Sequence, residues 1–174
     1  MKKITIRCLT YASKGYGNFS RCLNIAESLS QRNCVISFVI DYNEFVINEL
    51  KKRKFNFISI PLSKPISQKN NLFKNYLKQN NPDLCIIDMR EYGENLSKKL
   101  LNFNFKIILF DDAWSKQVYA DMIFNGTNIE SYHNYKLINK NSKLFLGTKY
   151  WILDKNFKVF HKKLSSIKNK KINS

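Results

Sequence analysis

Three places along the chain hold residues whose types and spacing suit chemistry. The first is Ser13–Leu23, SKGYGNFSRCL, which leaves an apolar run and enters a helical pattern. Gly15 and Gly17 allow positive φ and a close approach of the backbone to a ligand. The helix that follows would aim free N–H groups and its positive dipole end at that ligand. Tyr16 stands between the glycines, Asn18 is a neutral hydrogen-bonding group at the helix mouth, and Arg21 is a fixed cation one turn along. The stretch reads either as a phosphate- or sugar-facing elbow or as a tight strand-to-helix turn. Gly15-Tyr16-Gly17 has only the first two glycines of a dinucleotide fingerprint, so by itself it does not decide.

The second place is Asp88, the last residue of the apolar run Leu84–Asp88. In open α/β sheets the carboxyl ends of strands face the ligand crevice, which makes Asp88 a site candidate. The third is Asp111-Asp112, after the apolar Ile107–Phe110. Adjacent acids at a strand tip bind a metal, serve as acid and base, or cap a loop. Without histidine or further acids clustered there, capping and hydrogen-bonded positioning rank above metal binding. The only histidines are His133 and His161, so no metal site is expected. Asp41, at the end of another apolar run, is read as a helix cap in preference to a ribose contact.

The elements that must position these residues follow from hydrophobic period. Ile4–Leu9 opens a sheet, and Cys22, Ile25, Ala26 and Leu29 recur at helical spacing. Cys34–Ile40 is nearly continuously apolar, as in a strand covered on both faces. Residues 44–53 read as a helix with Phe45, Val46 and Leu50 inward. Phe55–Ile60 alternates with period two until Pro61 and suggests a strand nearer an edge. Leu62–Asn70 reads as a loop, and Leu72, Phe73, Tyr76 and Leu77 mark a helix ending before Pro82. A helix over 93–103 and strands at 107–110, 122–125 and within 144–153 complete the pattern, with Asn125-Gly126 suited to a turn. This alternation predicts a doubly wound, mostly parallel α/β sheet of Rossmann-like type.

The chain has 174 residues, 44% of them hydrophobic, enough for one domain with a substantial core. Its net charge of +17 would ordinarily suggest nucleic acid or an anionic surface. The lysines, however, are spread along the chain among Asn and Ile, and no nucleic-acid-binding motif accompanies them, so that partner is not expected. Cys8, Cys22, Cys34 and Cys85 form no C-x-x-C pair and read as reduced, buried thiols. No signal peptide or membrane span is evident, which makes the cytoplasm the default compartment. Beyond Asp154 every charge is positive, a basic tail over 155–174 following a domain over 1–154.

Gly15–Leu23 followed by Ile25-Ala26-Glu27-Ser28-Leu29 resembles the G-x-G-H-x-x-R-x-L-x-L-A opening of the UDP-2,4-diacetamido-2,4,6-trideoxy-β-L-altropyranose hydrolases of pseudaminic acid biosynthesis and of related spore-coat polysaccharide proteins. Leu84–Asp88, Lys106–Asp112 and Leu146–Leu153 fall in that family's order. The resemblance implies a GT-B architecture, two Rossmann-like domains with the substrate in the cleft between them, and covers the first domain only. It implies no cofactor. In the family, the Gly-rich loop carries a histidine that acts as base toward water, and the second domain holds most of the UDP. Asn18 stands at the histidine position, and an amide cannot accept a proton near neutral pH.

Two functions of different class follow. One is a UDP-sugar hydrolase domain of surface-glycan or nonulosonic acid biosynthesis, incomplete or weakened. Its expected substrate-binding residues are Gly15, Tyr16, Gly17, Arg21, Asp88, Asp111 and Asp112, with Asn18 at the catalytic position. The other is a non-catalytic sugar-binding or interaction domain derived from such an enzyme by loss of its second half. In either, a separately encoded C-terminal domain or a second copy would cover the docking face, and residues 155–174 would be a tail or the start of the interdomain segment.

Overall fold

The computed structural model describes residues 1–11, 13, 15–89, 93–112 and 117–153. The basic stretch 155–174 and the proposed boundary at 154 lie outside them. The main sheet has seven strands: β1 (Lys2–Cys8), β2 (Cys34–Asp41), β3 (Asn56–Ile60), β4 (Leu84–Asp88), β5 (Lys106–Phe110), β7 (Met122–Asn125) and β9 (Lys143–Leu146), in the order β3-β2-β1-β4-β5-β7-β9. Every neighbouring pair in it is parallel. Two-residue strands β6 (Gln117–Val118) and β8 (Lys136–Leu137) make a small second sheet, too short to leave a period in the sequence. The fold is thus the doubly wound α/β sheet read from the sequence, with β3 at its edge.

Helices α1 (Gly17–Ser30), α2 (Glu44–Lys52), α3 (Ile66–Asn80) and α4 (Gly93–Lys98) supply the outer layers. Because strand side chains alternate, each strand feeds two cores. Ile4, Ile6, Cys8, Ile36, Phe38, Ile40 and Ile86 pack with α1 and α2 on one face. Val39, Cys85, Ile87, Ile107 and Leu109 pack with α3 and α4 on the other. The helix-to-strand returns use the left-handed region at Asn33 (φ 59°), Lys54 (φ 58°) and Asn81 (φ 42°), each just beyond a helix end.

Several local expectations need correction. α1 buries Phe19, Cys22, Leu23 and Ala26, spaced i, i+3, i+4, i+7, so Ile25 and Leu29 sit at the margin of the stripe and not at its centre. Phe45 is exposed and lies against the Tyr16 ring, with centroids 4.8 Å apart, while Val46 and Leu50 fill the core. The stretch 66–70, expected in a loop, is the first turn of α3. Its apolar signal is missing because the inward positions are Lys69 and Asn70, both buried. The 93–103 helix stops at Lys98 and continues as turns.

Lys69 faces inward because β1 and β2 place charges beneath it. Arg7 Nη2 donates to Asp41 Oδ2 at 2.9 Å and Arg7 Nη1 to the Val39 carbonyl at 3.2 Å. Lys69 Nζ sits 3.1 Å from Asp41 Oδ1, attracted by charge although not aligned as a hydrogen bond, and donates to the Tyr11 hydroxyl at 2.8 Å. Asp41 is therefore an internal counter-ion. It neither caps α2 nor faces a ligand.

Asn43 caps α2, its Oδ1 accepting from Val46 N at 3.2 Å. Its Nδ2 donates to the Thr10 carbonyl at 2.8 Å and approaches the Tyr16 hydroxyl at 3.3 Å. One side chain thus ties the end of β1 and the entry to α1 to the start of α2.

Asn43→Ala should lower stability by about 1–2 kcal/mol, the usual cost of losing a cap together with a partly buried hydrogen bond. Asn43→Asp keeps the cap but not the donor and should recover about half of that in urea unfolding. The thiols give a second test. Cys8, Cys22 and Cys85 are buried and Cys34 is half-buried. Burial pushes the Cys22 and Cys85 thiols well above their ordinary values. A disulfide reagent at neutral pH should titrate one thiol quickly in the native chain and all four in denaturant.

Candidate functional site

β1 lies between β2 and β4, so the chain leaves toward α1 on one face and arrives from α3 on the other. This is a topological switch point, where the carboxyl ends of two strands diverge and leave a crevice. α1 begins over that crevice. Gly15, at φ 78°, makes the turn into it, and a Cβ there would meet nothing within 4 Å, so the demand is conformational. Gly17 opens the helix with open space beside it. Tyr16 occupies the N-cap without a side-chain cap bond and leans toward α2 through Phe45 and Asn43.

Side-chain parity decides which acids enter the crevice. Ile86 faces α1, so Asp88 does too. Phe110 faces α1, so Asp112 does and Asp111 does not. Arg21, one turn into α1, bridges the two facing carboxylates. Its Nε and Nη2 donate to Asp88 Oδ2 and Oδ1 at 2.8 and 2.7 Å. Its Nη1 and Nη2 donate to Asp112 Oδ1 and Oδ2 at 3.0 and 2.7 Å. The guanidinium lies over the Phe110 ring, 5.1 Å from the centroid. Asn18 Nδ2 donates to Asp88 Oδ1 at 2.5 Å, and Cys22 Sγ lies 3.5 Å from Asp88 Oδ2.

Four donors converge on the Asp88 carboxylate, an arrangement that the ionised, acceptor-only form satisfies. Burial pushes its pKa above the ordinary carboxylate value and the Asp112 charge adds to this; hydrogen bonds and charge from Arg21 and the Asn18 amide oppose it. For Arg21, burial lowers the pKa, but the bonds and charges of Asp88 and Asp112 outweigh it and hold the cation above its usual range. The cluster carries two carboxylates and one guanidinium.

A cavity of about 400 Å³ opens beside it, lined by Gly17, Asn18, Arg21, Asp112, Trp151, Ile152 and Leu153. Of the residues read as site candidates, Gly17, Asn18, Arg21 and Asp112 thus meet at one cavity, and Asp88 supports them from below. Asp111 is buried, with Tyr135 beside it. Gly15 and Tyr16 shape the turn and do not line the cavity. Among the described residues no group of three or more His, Cys, Asp or Glu is placed to hold a metal ion. No helix is long and apolar enough to cross a membrane, again among the described residues.

Sequence reasoning placed 151–153 in a family block but not in the site. After β9, Gly147 (φ 91°) and a short 3-10 turn at Thr148–Tyr150 turn the chain back over the sheet end. Tyr150 packs edge-on against Phe124 and Phe145, whose rings stack at 4.5 Å. Gly126, expected in a turn, instead lies beneath the Trp151 indole, where a Cβ would overlap Cδ1. No periodicity in the sequence links Gly126 to Trp151, 25 residues further on.

The sheet order, the two helical layers and the crevice at the switch point define a GT-B-like, Rossmann-type domain. The solved structure of MurG from Acinetobacter baumannii superposes with a TM-score of 0.57 at 11% identity, over 74% of this chain and 42% of that one, a likeness of fold. In sequence the chain is 32% identical over 161 residues to the uncharacterized protein MJ1062 of Methanocaldococcus jannaschii, which covers 90% of this chain. The chain spans about a third (32%) of the length of that curated relative. No protein-family model matches.

The two carboxylates should respond differently to truncation. Asp88→Ala leaves a mostly buried guanidinium short of its counter-ion and should cost about 3–5 kcal/mol. Asp112, whose side chain is 36% exposed, should cost no more than about 1 kcal/mol as Asp112→Ala. Urea unfolding of both variants at one salt concentration measures the difference.

Proposed function

We propose that this chain is the N-terminal half of a GT-B-like nucleotide-sugar enzyme. Of known activities it best fits the UDP-sugar hydrolases of surface-glycan or nonulosonic acid biosynthesis that its motifs resemble. Residues 1–154 form the domain in this reading, and 155–174 begin the segment toward a second domain that holds most of the UDP. The observation that carries it is the meeting of Asn18, Arg21 and Asp112 over Asp88 at the switch-point crevice. In this reading Arg21 fixes the loop-to-helix junction against both strand tips, and the cavity beside it receives the sugar. Attack of water on the anomeric carbon would release UDP.

One observation favours the alternative of a binding domain without catalysis. Asn18, at the position of the family's base, has its amide nitrogen engaged by Asp88 and has no proton-accepting group for water. The two readings separate in one experiment. UDP release from UDP-2,4-diacetamido-2,4,6-trideoxy-β-L-altropyranose is measured with the chain and a second domain from a UDP-sugar hydrolase added in trans. Asn18→His should raise the rate about a hundredfold, the low end of the general-base range, because the surrounding groups are not tuned for imidazole. Equal turnover by wild type and variant would show that Asn18 does not mark a lost base. Sugar binding without turnover by either would support the binding domain.

A further inference from the structure

Trp151 is 59% exposed and seated on a glycine. Only Gly126 lets the indole lie so close to the backbone, so the ring is held on one side and open on the other. Around the same cavity Asn18, Arg21 and Asp112 supply the polar groups, and Ile152 and Leu153 extend the apolar side next to the indole. Because ionised Asp88 can only accept, the Asn18 amide must turn its nitrogen inward, which leaves Oδ1 outward. Arg21 has four of its five N–H groups committed to the two carboxylates. Asp112, at 36% exposure, keeps carboxylate surface open to the cavity. An incoming ligand therefore meets an aromatic plate and two acceptors, with the local cation already neutralised.

We propose that this cavity binds an uncharged pyranose, with the C–H face of the ring stacked on Trp151 and O–H or amide N–H donors directed to Asp112 and Asn18 Oδ1. The inference rests on reading the cavity as a sugar site and adds both the platform and the selection against charge. A pyranose suits the space because it presents apolar C–H groups on one face and polar donors around its rim, whereas a uronate would bring the carboxylate of its ring against Asp112. The site carries two carboxylates to one guanidinium, so such a ligand is repelled. Asp112 sets specificity in this scheme, and Gly126 positions the indole.

The test uses the full chain and two probes that differ only at C6, methyl β-D-glucopyranoside and methyl β-D-glucuronide, followed by calorimetry and saturation-transfer NMR. The neutral glycoside should bind more tightly, with its ring C–H protons receiving the strongest saturation. Trp151→Ala should weaken it on the order of tenfold, the equivalent of about 1.4 kcal/mol of stacking, and Trp151→Tyr should restore most of the loss. Gly126→Ala, which displaces the indole without removing it, should weaken binding like Trp151→Ala. Asp112→Asn should narrow the gap between the two probes. Equal affinity of wild type and Trp151→Ala, or tighter binding of the glucuronide by wild type, overturns the proposal. If UDP-sugar is hydrolysed while Trp151→Ala leaves KM unchanged, the platform fails and the hydrolase reading stands. If the glycoside binds through Trp151 but no UDP is released with a second domain present, the platform stands and the hydrolase reading fails.

Discussion

The guanidinium of Arg21 closes the gap between two strand tips that backbone hydrogen bonding cannot close. β4 and β5 pair along their length, but Asp88 at the end of β4 and Asp112 two residues beyond β5 would repel each other without a shared cation. By gripping both, Arg21 sets the height of α1 above the sheet and therefore where Gly17 and Asn18 stand. Phe110 gives the planar cation a seat, and Asn18 completes the shell of Asp88 from the same helix. Removing this one cation would unsettle the helix entry, both strand ends and the rim of the cavity at once. A lysine there would supply the charge but not the two-sided fork.

A second charged cluster does comparable work on the opposite face. Asp41 lies between Arg7 and Lys69 and anchors α3 over β1 and β2. The Arg21 cluster has one cation between two anions, and this one has one anion between two cations. Each helical layer is thus pinned at the carboxyl edge of the sheet by ions, while aliphatic packing holds the middle. Asn43 joins the two faces through the segment that leads from β1 to α1, so the Gly-rich turn is held from both sides.

Much of this was legible in the sequence. Continuous apolar runs marked the central strands, and their carboxyl-terminal acids marked the crevice edge, because parallel strands buried on both faces leave no other signal. The sequence groups Asp111 with Asp112, and their separation becomes visible only when the fold places α1 over the Ile86 and Phe110 face. The start of α3 stayed hidden because its inward positions are Lys69 and Asn70, and a charge buried beside a counter-ion 28 residues away in the chain mimics a polar loop. The Trp151 wall of the cavity was illegible for another reason. It depends on Gly126 and on the turn at Gly147, and that long-range steric fit has no period.

The position of β1 in the sheet also bears on how the chain comes off the ribosome. β1 is made first, yet one of its two hydrogen-bonded edges is filled only by β4, whose residues are 84–88. At translation speeds of about 5–20 residues per second, that edge stays unpaired for several seconds after β2 has emerged. During this interval Arg7 has Asp41 from the start, Lys69 joins them only partway through, and Asp88 does not yet exist for Arg21. An unpaired central strand of this kind is a template for pairing with a neighbouring nascent chain. Lys2 and Lys3, at its start, place like charges where two such edges would meet.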